Sequence, residues 1–95
     1  MKNELPIPPA IETATQSMEM LRVWIADGSQ HVSLTGNLWK DPASWGLLLV
    51  DLTKHIANAY QAQGRDRSEV LRRVKEGFDA EWGHATDEPT GHVLK

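Results

Sequence analysis

Residues 21–34 read LRVWIADGSQHVSL, and the way this stretch pairs with itself decides the fold. From Glu19 onward the pattern has a period of two. Leu21, Val23 and Ile25 point one way, and Met20, Arg22, Trp24 and Ala26 point the other. Asp27-Gly28 is a two-residue turn signal, because a type I′ turn needs positive φ at both central positions. The register that such a turn implies pairs Ile25 with Gln30, Trp24 with His31, Val23 with Val32, Arg22 with Ser33 and Leu21 with Leu34. Apolar partners then share one face, and polar or mixed partners share the other. A slip of one residue would mix the two faces. A β-hairpin is therefore expected within residues 18–35, with Met20, Arg22, Trp24 and His31 on its second face.

Upstream, residues 1–17 show no sustained period. The run LPIPPAI reads as an extended, polyproline-like entry, and its prolines bar it from a central strand. Downstream, Asp41 and Pro42 read as the cap and first position of a helix running from about Pro42 to Gln63, with Gly64 as terminator. Trp45, Leu48, Leu49, Leu52, Ile56, Ala59 and Tyr60 form one stripe on it, while Leu47 and Val50 lie behind. Trp39 precedes the cap and is placed to staple the helix start. A second helix is expected from near Asp66 to about Trp82. Its cap is Asp66 with Glu69, and its buried stripe is Val70, Leu71, Val74, Phe78 and Trp82. Gly77 beside that stripe would allow a close helix approach. The two helices make a helical hairpin over residues 41–82. The polar, turn-rich stretch 83–95 reads as a flexible tail. The fold class expected is α+β, a ββαα unit in two layers, with Leu21, Val23, Val32 and Leu34 packing on the helical pair.

Composition narrows the function classes. Ninety-five residues make one domain, and a chain this short buries only roughly 60–65% of its unfolded surface. The core is thin, and a partner would add to it. A net charge of −3 argues against bulk binding to nucleic acid or to an anionic membrane. The basic run Arg65, Arg67, Arg72, Arg73 and Lys75 reads as a solvated helix face, since no aromatic interleaves it to stack on bases. No apolar run approaches the ~18–20 residues of a bilayer span. Early prolines interrupt any secretory signal pattern, so a cytoplasmic location is expected. With no cysteine, there is no disulfide framework, no thiolate metal site and no thiol nucleophile.

Several short motifs occur together in order: LRVWIADGSQHVSL, then W-x-DP-x-x-WG, then DL-x-x-HIA-x-AY, then F-x-x-EW and DEPTG. In this the chain, from about Leu5 to Gly91, resembles a small bacterial family, domain of unknown function family 5076. The resemblance implies a small bacterial protein. It carries over no catalytic residue, cofactor or activity.

Candidate chemistry is sparse. Asp51, His55 and Asn58 follow one another along one flank of the first helix. An aspartate one turn before a histidine can hold its tautomer and raise its basicity. No serine, cysteine or second carboxylate is placed to complete a triad, and such helix pairs are commonly structural. The four histidines, 31, 55, 84 and 92, lack metal-ligand spacing, and Asp87 and Glu88 near two of them are explained by a polar tail. No catalytic residue, metal or cofactor is expected.

Trp24, flanked by Met20, Arg22 and His31, has instead the composition of an interface core. Read second, it lines a shallow ligand pocket, with Arg22 as an anion anchor and Asp51 and His55 as weaker polar candidates. Two strands cannot cover a layer of two helices, since strands lie ~4.8 Å apart while a helix is ~10 Å across. The sequence therefore points to a non-enzymatic homodimer or a module docking another protein, through Met20, Arg22, Trp24, His31, Leu47 and Val50. The competing reading is a small-molecule binder or minor enzyme.

Overall fold

A computed structural model of the chain describes residues 1–84 and, for the backbone alone, residues 92–94. Two compact units emerge: one holds Met1–Gly36 together with the strand at 92–94, and the other begins at Asn37.

In the first unit, β1 (Leu21–Ala26) pairs antiparallel with β2 (Ser29–Leu34). The partners are Leu21↔Leu34, Arg22↔Ser33, Val23↔Val32, Trp24↔His31 and Ile25↔Gln30, which is the register the turn implied. Asp27 at φ 50° and Gly28 at φ 79° supply the two positive values of the turn. Beyond the last pair, the Thr35 amide donates to the Met20 carbonyl at 3.0 Å and the Thr35 hydroxyl to the Glu19 carbonyl at 2.9 Å. These two bonds close the open end of the hairpin.

Three features of this unit differ from the sequence reading. Pro9–Glu12 forms a single 3-10 turn inside the entry segment, because Pro9 pre-sets the φ of its first position. The segment expected to be wholly a loose tail contains a strand, β3 (His92–Leu94). It lies parallel to β2, with His31↔His92, Val32↔Val93 and Ser33↔Leu94 as backbone partners. The physical reason is the unpaired edge of β2, whose amides and carbonyls accept a third strand. The rest of the expected tail, including Asp87 and Glu88, lies outside the described residues. Finally Val23, assigned to the buried face, stays half exposed, since a narrow sheet face encloses little of a side chain at its centre.

In the second unit, α1 (Ala43–Ala62) and α2 (Arg67–Trp82) form the helical hairpin. Asp41 Oδ1 accepts the Ala43 amide at 3.0 Å, and Pro42 already has helical φ and ψ, so Asp41 is the working cap. Trp39 packs edge-on against Trp45, with ring centroids 5.2 Å apart at 80°, and so staples the helix start. At the other end the Arg65 amide reaches the Tyr60 carbonyl at 3.1 Å and the Gly64 amide reaches that of Gln61 at 2.9 Å. With Gly64 at φ 92°, this is a Schellman cap. Asp66 then caps α2 by accepting the Glu69 amide at 3.3 Å, and Asn58 Oδ1 accepts Arg67 Nε at 2.8 Å between the helices.

The helices meet where Ala57 is 0% and Val70 4% exposed, and these are the only buried apolar residues among those described. The expected α2 stripe is thus only partly enclosed: Leu71 and Val74 are half-buried, but Trp82 is 81% exposed and stacks only on Phe78, 5.6 Å away. Trp82 sits on the last turn of α2, at the end away from the connection between the helices. Gly77 has no atom within 4 Å of where a Cβ would stand, so it marks no close approach between α1 and α2.

Candidate functional site

Of the eight candidate residues, four lie in each unit. Trp24 and His31 are cross-strand partners on β1 and β2, and both are half-buried. Met20 and Arg22 lie at the open end of the hairpin. They line a shallow hollow of about 190 Å³ together with Glu19, Leu21, Ser33, Leu34 and Thr35. Trp24 and His31 are not part of its wall.

The chemistry of the hollow turns on Arg22. Its Nε and Nη2 donate to Oε1 and Oε2 of Glu19, each at 3.0 Å, and its Nη1 donates to Glu4 Oε2 at 3.0 Å. Glu19 lies one turn of chain before Arg22, and Glu4 reaches it from the entry segment. Two carboxylates around one guanidinium leave the cluster with a net negative charge. Chiefly through the Glu19 hydrogen bonds, they raise the guanidinium above its already high pKa. Arg22 thus ties the entry segment to the hairpin, with three of its five N–H donors engaged by the two carboxylates. The Glu19 contact was readable from its spacing to Arg22. Nothing local in the sequence signals Glu4.

The other four candidates lie on α1. Leu47 is 70% and Val50 53% exposed. Asp51 and His55 are exposed one turn apart, and neither a hydrogen bond nor an ion pair joins them. The neighbours on the main stripe are also incompletely covered: Leu49, Leu52, Ile56 and Tyr60 are all classed as exposed. Three of the five bases of the basic run that follows are paired with acids. Arg72 and Arg73 bind Glu76 at 3.0 and 2.7 Å, Lys75 binds Asp79 at 2.7 Å, and Arg65 lies over the Tyr60 ring at 5.5 Å. The Arg73 hydrogen bond is the main cause that holds the Glu76 carboxyl below its usual value.

Among the described residues no group of three or more His, Asp or Glu side chains is placed to hold a metal ion. No described helix is long and apolar enough to cross a membrane. What the geometry shows is apolar side chains of α1 left unburied.

The profile of a family described as "Domain of unknown function (DUF5076)" matches residues 4–86. Among solved structures, the chain is similar to one described provisionally as a pyruvate dehydrogenase from the photosynthetic bacterium Rhodopseudomonas palustrus CGA009. The identity is 32%, the match covers 100% of this chain and 98% of that one, and the TM-score is 0.73. No curated protein matches the chain in sequence.

Proposed function

This chain belongs to the family described as a domain of unknown function, DUF5076, and from that premise we propose that it is a small non-enzymatic module acting by self-association as a homodimer. The observation that carries this reading is the burial pattern of the helical hairpin. Leu47, Leu49, Val50, Leu52, Ile56, Tyr60, Phe78 and Trp82 all remain exposed, while only Ala57 and Val70 are enclosed. Scattered exposed apolar residues are normal on a protein surface, but Leu49, Leu52, Ile56 and Tyr60 share one face of α1, and such a set marks an interaction surface. A domain this small also gains most from oligomerisation, because it cannot enclose a large core alone.

The activity named for the R. palustrus protein is not part of this reading. A pyruvate carboxylate would seek a cation, and the one in the hollow, Arg22, already holds Glu4 and Glu19. The test is size exclusion coupled to light scattering at micromolar concentration, on the wild type and on Leu52→Asp, Val50→Asp and Trp24→Ala. The reading expects a dimeric wild type and a shift toward monomer in at least one variant. A wild-type monomer that releases a bound metabolite on Trp24→Ala would replace it with the ligand reading.

A further inference from the structure

Beyond self-association and independently of it, we propose that the proline run Leu5–Pro9 is a docking segment for another protein, one that presents an aromatic-lined groove of the kind that reads polyproline II helices.

The conformation of the run follows from local chemistry. Pro6, Pro8 and Pro9 have φ locked by their rings at about −65°, and Leu5, Ile7 and Pro8 each precede a proline, which steers them to extended ψ. Every residue from Leu5 to Pro9 is thus restricted in at least one backbone angle. Pro8 is found in the polyproline II region, at φ −55° and ψ 136°. Such a helix makes no internal hydrogen bonds, and among the described residues none engages the backbone of Leu5, Pro6 or Ile7. Their carbonyls are open to donors from a partner. At three residues per turn Leu5 aligns with Pro8, and Pro6 with Pro9. The second pair has the P-x-x-P spacing with which proline-rich segments fill aromatic grooves.

Exposure and anchoring together set this run apart from a simple linker. Every residue from Met1 to Glu19 is exposed, Leu5 at 87% and Ile7 at 67%. The run is nevertheless held at both ends. On one side Glu4 accepts from Arg22 Nη1 at 3.0 Å, which fastens it to β1. On the other, the Ile11 amide donates to the Pro8 carbonyl at 3.1 Å and the Ala14 amide to the Ile11 carbonyl at 3.3 Å, which closes the 3-10 turn. A disordered segment spends affinity on its own ordering when it binds, and a segment already fixed at both ends spends less. These anchors hold the run in shape without burying it, which suits a docking segment and not a core one. Beside it, Glu4 and Glu19 around the single Arg22 leave negative charge, so the groove that complements the run has a basic rim.

Purified SH3 and WW domains, whose grooves are aromatic, serve as probes, titrated into the isotopically labelled full chain with its amides followed by NMR. At least one probe should shift the amides of Glu4, Leu5, Ile7, Ala10 and Ile11 while those of α1 and α2 stay in place. Pro6→Ala, which lies outside the 3-10 turn, should weaken that binding about tenfold through loss of one anchor. Arg22→Gln leaves the run itself intact and should weaken binding about threefold by freeing the Glu4 end, with circular dichroism confirming that the variant is folded. The readout is local, so it is the same for a monomeric and a dimeric chain. An affinity unchanged by Arg22→Gln would overturn the part assigned to the anchoring, and one unchanged by Pro6→Ala would overturn the P-x-x-P reading. Probes that leave the amides of residues 4–11 unmoved, or that shift α1 instead, would overturn the docking segment altogether.

Discussion

Replacing Gly77 with alanine should stabilise the protein, and the sign of that effect follows from what surrounds the residue. Gly77 lies well inside α2, and a Cβ built on it meets nothing within 4 Å. No steric cost then opposes the intrinsic preference of alanine for a helix interior, which is about 0.8–1.0 kcal/mol over glycine. For a domain of this size, about 1 kcal/mol raises the melting temperature by about 4–8 °C. Gly64 supplies the internal control. It also has open space around it, but its φ is +92°, so Gly64→Ala forces a left-handed side-chain residue and should cost about 1 kcal/mol. The assay is thermal unfolding by circular dichroism at one fixed protomer concentration, because association makes the midpoint concentration-dependent. A Gly77→Ala variant that melts lower than wild type would refute the reasoning. It would mean that something packs closely on that face of α2, against the open space found around Gly77.

Val70→Ala removes two methylenes' worth of apolar volume from the enclosed contact with Ala57 and should cost about 2 kcal/mol, read as a lower urea midpoint at unchanged slope. Asp66→Ala removes the acceptor for the Glu69 amide and should cost about 1 kcal/mol, with Asp66→Ser restoring most of it. Glu76 has a folded pKa below its ordinary value of 4.5, so its contribution is present above 4.5 and fades as pH falls through the depressed value. Wild type should accordingly be more stable than Glu76→Gln at neutral pH, and that advantage should vanish in an acid titration. An advantage that grew toward low pH would contradict the Arg73 and Arg72 contacts.

The parts of the fold that could be read in advance were those specified by local chemistry. The turn at Asp27-Gly28 admits one register because alternation allows no slip, and the observed pairs follow it throughout. Asp41, Gly64 and Asp66 mark the helix ends because each solves a local hydrogen-bonding problem of the backbone. The β3 strand was not legible: three residues carry too little pattern, and their partner on β2 is distant in sequence. Nor was the exposure of Trp82. A periodic apolar position states which face a residue shares, but not how closely the neighbouring helix packs on that face. At the candidate site, residue types were legible and their engagements were not. Arg22 reads as an anion anchor, and its engagement by Glu4, remote in the chain, has no local signal.

The claim on which the proposed function depends is that the chain associates with a second copy of itself. Sedimentation equilibrium of the wild type over a concentration series tests it most directly. The account predicts a mass that rises with concentration to twice the 10.6 kDa of the chain. A mass that stays at 10.6 kDa across the micromolar range would contradict it.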